Sequence, residues 1–343
     1  MLSERQSSIL EFVIHDYVDS AVPVASKTLR QHYGLSVSPA TIRNEFAELE
    51  EQGYVQQPHT SAGRVPTEKG YRFFVETLMR EEELPWQAQQ TIRHQFHQIE
   101  GGGDSWVQLA SSVLARAVQN AAVVTAPRSE ASRMKHLELV SLQDTTALLV
   151  LVLDQARLKQ QILALSETCS QDELSVVAGR LNELLAGMTM SDIAAHEATL
   201  THVEHQVTDA VLEIMRAVDE GGFDEAHLEG LRLVLSQPEF SSSERALALL
   251  ELLDAHTLTR AIPFRALAGQ GVTVVIGAEN PRLAQAGEAI RECSVVIGSY
   301  GAPGVATGAL AVVGPMRMHY SRTISTVRYL AAVMSELLAK YEP

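Results

Sequence analysis

The chain has 343 residues, room for two or three ordinary domains and an ample core. Hydrophobic residues make up 46% and charged residues 20%, which excludes a chain that is mainly disordered. Lys and Arg number 27 against 42 Asp and Glu, a net charge of −15, which excludes a general polyanion binder. The first 80 residues carry 8 basic and 10 acidic side chains, net −2, so the rest of the chain holds net −13. Any contact with nucleic acid is therefore expected near the N-terminus, ahead of an acidic body.

Taken in chain order, the spacing predicts a helix from Ser3 to Tyr17. Ser3 and Gln6 fit a capping box, and Ile9, Leu10, Val13 and Tyr17 share one face. Pro23 breaks the chain, and a short helix from Ser26 to His32 ends at Gly34. A third helix opens with Ser38 as cap and Pro39 in the first position, and closes at Gly53. Ile42, Phe46 and Leu49 make its buried stripe. Ala40, Asn44 and Ala47 make the opposite face, with Thr41 and Arg43 on the shoulders. Tyr54–Gln57 reads as a strand, Pro58–Gly63 as a turn-rich tip, Arg64–Pro66 as the return strand, and Thr67 starts another helix. Helices follow around Ile92–Ile99 and over Ser105 to about Ala122. Three β-type runs, His136–Leu142, Thr145–Leu153 and Arg157–Leu165, have connections short enough for a meander. Residues 171–219 turn helical, 228–236 is a possible strand, and Ser241–Leu253 is helical again. Strands return at Val272–Ile276, Ser294–Ile297 and Ala306–Val313 before a final helix, Ser321–Tyr341. Strands on both sides of a helical block predict one mixed sheet domain interrupted by an insertion.

No phosphate-binding loop, dinucleotide turn, zinc-protease pair, CxxC or serine elbow is present. The glycine-rich stretch 298–304 has the wrong spacing for a dinucleotide and reads as a hairpin loop. His202, His205 and Glu204 lack a clear further ligand, so a solvated helix face is the better reading than a metal site. Cys293, Glu279 and His319 make a nucleophile set on paper only, and a buried thiol is the better reading. No catalytic residue, cofactor or metal is expected. Two cysteines, a polar N-terminus and a longest apolar run of Ala147–Leu153 point to a reducing cytoplasm and no membrane.

Three short helices and a two-stranded hairpin are the parts of a winged helix-turn-helix. Ala40 and Ala47 permit close approach to a groove floor. Asn44 matches adenine and Arg43 guanine or phosphate. Ser38 and Thr41 mark a helix N-terminus able to receive a phosphate, and His59, Thr60, Ser61 and Arg64 on the hairpin suit backbone or minor-groove contact. The competing reading is a helical protein–protein module. The acidic run Glu48, Glu50 and Glu51 opposes DNA unless it points away from the duplex.

The string SPATIRNEFAELEEQGYVQQPHTSAGRVPTEKGYRFFV (38–75) closely resembles the N-terminal domain of the HrcA family of bacterial heat-inducible transcription repressors. RQSSIL, PVASKTL, IGAEN (276–280), ECSVVIGSY (292–300) and TGALAVVGPMRMHYSRTISTVRYL (307–330) fit the same family, while the middle matches weakly. Ala25 departs from it, at a position where glycine is expected. The resemblance implies an α+β multidomain chain. A winged-helix DNA-binding domain spans 1–85, a GAF-like mixed α/β domain spans 86–170 and 241–343, and a helical dimerisation domain is inserted at 171–240. It also implies a homodimer, with no enzymatic activity, that binds the inverted-repeat CIRCE operator of chaperone operons and depends on the GroE chaperonin. The alternative is a metabolite-sensing repressor whose GAF-like pocket is lined by the IGAEN strand end and the 298–304 loop. The 171–240 stripes Leu174, Leu181, Leu184 and Val211, Ile214, Met215 are expected to supply much of the dimer contact. The strands at 136–165 are expected to pair with strands beyond 270. Such long-range closure would be slow and would expose ALLVLVL (147–153) to a chaperonin.

Overall fold

A computed structural model of the chain describes residues 2–34, 37–60, 62–80, 82–99, 103–127, 131–154, 158–196, 199–220, 226–253, 271–279, 292–302 and 306–341. It divides into two compact units, Met1–Arg128 with Phe223–Pro343, and Ser129–Gly222. The second unit is thus larger than the 171–240 insertion expected from sequence and begins before the meander.

In the first unit, α1 (Glu4–Ser20) starts at the expected capping box: Ser3 accepts from the Gln6 N–H, and the Gln6 side chain accepts from the Ser3 N–H. Helices α2 (Ser26–Tyr33) and α3 (Pro39–Glu51) follow. Strands β1 (Val55–Gln56) and β2 (Val65–Pro66) then pair antiparallel. Helix α4 (Glu68–Phe73) runs into a π-helical turn, Phe74–Leu78. The apolar stripes of α1 and α3 meet: Leu10, Val13, Leu29, Ile42 and Leu49 are wholly buried.

Helices α5 (Trp86–His97) and α6 (Gly103–Val118) lead to a five-stranded antiparallel sheet. Its strands are β3 (Ala121–Thr125), β7 (Ala226–Glu229), β8 (Val272–Ile276), β9 (Cys293–Ala302) and β10 (Ala306–Pro315), in the order β7-β3-β10-β9-β8. Alternation sorts its side chains between two layers. Ala122, Val124, Val296, Leu310 and Val312 pack on the side of α6 and the terminal helix α12 (Tyr320–Tyr341). Ala121, Val123, Val295, Ala311 and Val313 pack with Val234, Phe240, Leu249 and Leu253, from α10 (Leu231–Leu235), a 3₁₀ turn and α11 (Ser243–Leu253). The glycine-rich 298–302 segment is strand rather than loop and pairs with β10 as far as Ala302 opposite Ala306. The rest of that expected loop, 303–305, lies outside the described residues.

The second unit corrects the expected strand pairing. Strands β4 (Met134–Gln143), β5 (Thr146–Leu153) and β6 (Leu158–Ala164) form the meander read from sequence, but as a separate three-stranded sheet. One face, with Leu137, Leu139, Leu149 and Leu151, packs on α7 (Gln171–Leu185) and α9 (His202–Glu220), with the short α8 (Met190–Ala195) beside them. Long-range closure falls instead on β3 and β10, where Val124 lies opposite Leu310. The stripes Leu174, Leu181, Val211, Ile214 and Met215 are this unit's own core, and Leu184 packs against it. The sheet supplies the partner that a boundary at 171 had removed. Among the described residues, the other sheet face has no partner within the unit. In register across it, Val140, Leu148 and Ile162 form one row, and Val152 and Leu158 sit in another. Val140, Leu142, Leu158 and Ile162 are 39 to 66% exposed there.

Candidate nucleic-acid interface

Helix α3 begins where its sequence says it must. Ser38 Oγ accepts from the Thr41 N–H at 3.1 Å and lies 3.0 Å from Thr41 Oγ1, with Pro39 in the first turn. The cap occupies one of the N–H groups expected to receive a phosphate. Pro39 has none, so Ala40 is left with the donor nearest the helix start. Ala40, Arg43, Asn44 and Ala47 are exposed on one side and Thr41 is half-buried, as the helical period requires once Ile42, Phe46 and Leu49 face the core. Arg43 folds its Nε back to the Pro39 carbonyl at 3.3 Å.

Apart from the exposed Glu51, the acidic residues of α3 are occupied within the N-terminal head, the part of the first unit that runs from α1 through α4. Glu45 pairs with Arg5 at 3.3 Å. Glu48 accepts from Gln6 Nε2 at 2.6 Å. Glu50 accepts from the Gln57 N–H at 3.0 Å and pairs with Arg64 at 2.8 Å. These contacts point three carboxylates toward α1 and the hairpin, away from the Ala40–Ala47 face.

The hairpin is anchored at its base. Val24 and Arg64 exchange backbone hydrogen bonds of 2.8 and 2.9 Å, adding a bridge beside β2. Gly63 lies so close to Val24 that a Cβ there would sit 2.4 Å from its carbonyl carbon. At the tip, the Ala62 N–H donates to the His59 carbonyl at 2.8 Å, and Gln57 Nε2 reaches the Thr60 and Ala62 carbonyls at 3.0 Å each. His59 and Thr60 are exposed, and Ser61 lies outside the described residues. Arg64 differs from its expected role as an open phosphate contact, because its side chain is only 16% exposed and bound to Glu50.

Sequence reading passed over Lys27 and Arg30, exposed one turn apart on α2 beside the buried Leu29. Arg5, Arg64 and Arg72 are committed to carboxylates, and Lys69 donates to the Gln52 carbonyl at 2.7 Å and lies over the Tyr54 ring. Among the described residues, Lys27, Arg30 and Arg43 make no such ion pair. Their i, i+3 spacing was the available signal. Gln57 gave none, since its role appears only once the hairpin closes.

Elsewhere the candidate sets have separate commitments. Burial, then the nearby Glu292 and Glu239, push the Cys293 thiol up to about 12, far from a nucleophile at neutral pH. Glu279 is bound by Arg72, and His319 lies 3.7 Å from Asp19. Glu204 is buried against Arg180 and the Thr201 N–H. Among the described residues no group of three metal-ligating side chains is assembled, and no helix is long and apolar enough to cross a membrane. The two segments expected to rim a ligand pocket are engaged as well: 276–279 contacts α4, and 298–302 pairs in the sheet, while Asn280 lies outside the described residues.

Residues 104–324 match the family model described as the HrcA protein C terminal domain. The chain is 46% identical to the heat-inducible transcription repressor HrcA of Roseiflexus castenholzii, covering 99% of this chain and 95% of that one. It is 44% identical to the repressor of the same name from Chloroflexus aggregans, covering 99% and 93%, and 41% identical to that of Dehalococcoides mccartyi, covering 99% and 97%. A crystal structure of a hypothetical protein superposes with a TM-score of 0.61 at 22% identity over 99% of both chains, a likeness of fold.

Proposed function

The chain belongs to the HrcA family of heat-inducible transcription repressors, and from that premise we propose that it represses chaperone operons by binding an inverted-repeat operator as a dimer. The observation that carries the DNA reading is the small, exposed face Ala40, Arg43, Asn44 and Ala47, flanked by little free negative charge because Glu45, Glu48 and Glu50 bind inside the head, with the exposed Glu51 at its C-terminal end, farthest from the helix start. In this reading residues 1–85 are a winged helix-turn-helix. Helix α3 enters the major groove, where Asn44 and Arg43 read base edges. Lys27 and Arg30 hold phosphates, and His59 and Thr60 bring the hairpin tip to the backbone.

A two-fold operator calls for a two-fold protein, and one head on a body of net −13 would bind weakly. The bare sheet face of the 129–222 unit is the dimer contact in this proposal, because exposed apolar patches of this kind mark interaction surfaces. Control by the GroE chaperonin rests on the family resemblance and on the late closure that β3 and β10 require. Footprinting on the promoters of the organism's own chaperone operons tests the function. Protection of both arms of an inverted repeat, lost with Asn44→Ala, is the expected result. Protection absent from every such promoter would defeat it.

A further inference from the structure

The head is bolted to the five-stranded domain at two separate places. On one side, Arg72 of α4 clasps the Glu279 carboxylate with two nitrogens, one at 2.7 Å, and also donates to the Val274 carbonyl at 2.8 Å on edge strand β8. Glu279 accepts from the Ile276 N–H at 2.9 Å, and Glu68 reaches the Ala278 N–H at 3.4 Å. On the other side, Arg317 donates to the Val18 carbonyl at the end of α1 at 3.1 Å while bound to Glu239 at 2.5 Å. Between the two, buried Tyr71 of the head packs against buried Tyr320, ring centroids 6.0 Å apart. One apolar core runs through both domains, from Ile9 and Phe46 to Ile276 and Tyr320. Two fastenings on different helices oppose rotation about that core more strongly than either alone.

We propose that Arg72 and Glu279 are positioning residues that fix the head's angle on strand β8, so that the dimer measures the distance and phase between its two operator half-sites. The inference rests on the dimeric DNA-binding reading. A duplex turns once in about 10–10.5 base pairs, so two inserted base pairs rotate one half-site by roughly 70° relative to the other. Fixed heads cannot follow that rotation without twisting the DNA, whereas a head that has lost the β8 fastening and is held by α1 and the shared core follows it with less strain. Both side chains are partly exposed, 27% and 31%, so neutralising them leaves the shared core in place.

The test uses the full-length protein and operators with zero, two, five or ten base pairs inserted between the half-sites. Wild type is expected to lose about tenfold in affinity at two inserted pairs. Glu279→Gln and Arg72→Gln should lose under about threefold at the same insertion, with affinity for a single half-site unchanged. Restoration of the sharp profile by the exchanged pair, Arg72→Glu with Glu279→Arg, would mark the contact itself as the cause. Variants with the wild-type spacing profile, or a wild type indifferent to spacing, would overturn the inference. Spin labels on cysteines replacing Gln31 and Arg232, diluted into unlabelled protein, give a reading without DNA. Their distance distribution should be narrow in wild type and broaden in Glu279→Gln, and an unchanged width overturns the inference even if no operator is bound. Failure of wild type to bind any inverted repeat would instead strike the repressor reading.

Discussion

Neutralising Lys27 and Arg30 should flatten the salt dependence of operator binding, and removing the Arg64–Glu50 pair should not. Both α2 cations are exposed and, among the described residues, make no ion pair, whereas Arg64 is 16% exposed and bound at 2.8 Å. A cation that neutralises a phosphate releases condensed counterions, and each contributes about 0.9 to the slope of log K against log salt. Two cations on each of two heads make four phosphates, so Lys27→Ala with Arg30→Ala should lower the slope by about 3.6. Between 50 and 200 mM salt, a fourfold change, wild type should then lose roughly 150-fold more affinity than the double variant. Arg64→Gln with Glu50→Gln deletes the internal pair without changing net charge. It should leave the slope alone and instead cost about 1–2 kcal/mol of head stability, since a charged hydrogen bond and its ties to the hairpin are lost. Fluorescence anisotropy with a labelled operator at five salt concentrations gives the slopes, and urea melts give the stabilities. An unchanged slope for the α2 variant, or a slope reduced by two or more for the Arg64 variant, would refute the assignment of the phosphate contacts.

Base reading by α3 predicts that Arg43→Ala and Asn44→Ala each cost about 1–3 kcal/mol on the operator and less on random DNA, measured by competition. Equal losses on both would reduce that side chain to a phosphate contact. Ile162→Asp on the bare sheet face should convert the dimer to a folded monomer in sedimentation, whereas Leu181→Ala in the core beneath should lower stability by about 2–5 kcal/mol. A dimeric Ile162→Asp protein would remove the sheet face from the interface. Gly63→Ala should unhook the hairpin from Val24, because the added carbon would meet the backbone at 2.4 Å, and amide exchange at Arg64 and Val24 should rise sharply. Acid should loosen the Arg72 clasp only at low pH. Burial pushes the Glu279 carboxyl up, but the hydrogen bonds from Arg72 and the Ile276 N–H outweigh it and hold the group below its ordinary value. Its contribution is therefore present above the ordinary carboxylate range and lost as pH falls through the depressed value, so the spacing profile should not change between pH 6 and 8.

Local signals carried the elements, and tertiary pairings decided what those elements do. Ser3 with Gln6, and Ser38 with Pro39, announce helix starts because each satisfies backbone donors within three residues, and the structure closes those bonds. Strict alternation over β5 places Ala147, Leu149, Leu151 and Leu153 on one buried face. Alternation does not say what covers that face, and pairing the meander with the strands beyond 270 places it in the wrong sheet. The covering helices α7 and α9 come next in sequence, and local pairing was the simpler solution. Residues 298–302 read as a loop because glycine is a poor strand former. Across the pair, Gly308 is needed where the Tyr300 ring fills the space of its Cβ, a contact that exists only once β9 and β10 are in register.

The candidate site shows the same limit in electrostatic form. Residue type and helical period were enough to set Ala40, Arg43, Asn44 and Ala47 on one exposed face. They could not say which charges of the head remain available to a ligand, because a charge is withdrawn by a partner distant in sequence. Arg5 and Glu45 are 40 residues apart, Gln6 and Glu48 are 42, and Arg72 and Glu279 are 207. The acidic run on α3 argues against DNA only if all its carboxylates are solvated. Once Glu48 and Glu50 of that run, and Glu45 beside them, turn inward they support the hairpin and α1; Glu51 stays exposed at the far end of the helix, and the part of the outward face near the helix start is left to Arg43 and Asn44 with Lys27 and Arg30 on the neighbouring helix. A head that is net negative by composition thus presents cations where α2 and α3 meet solvent, and this distribution, rather than the total, decides whether a polyanion can approach.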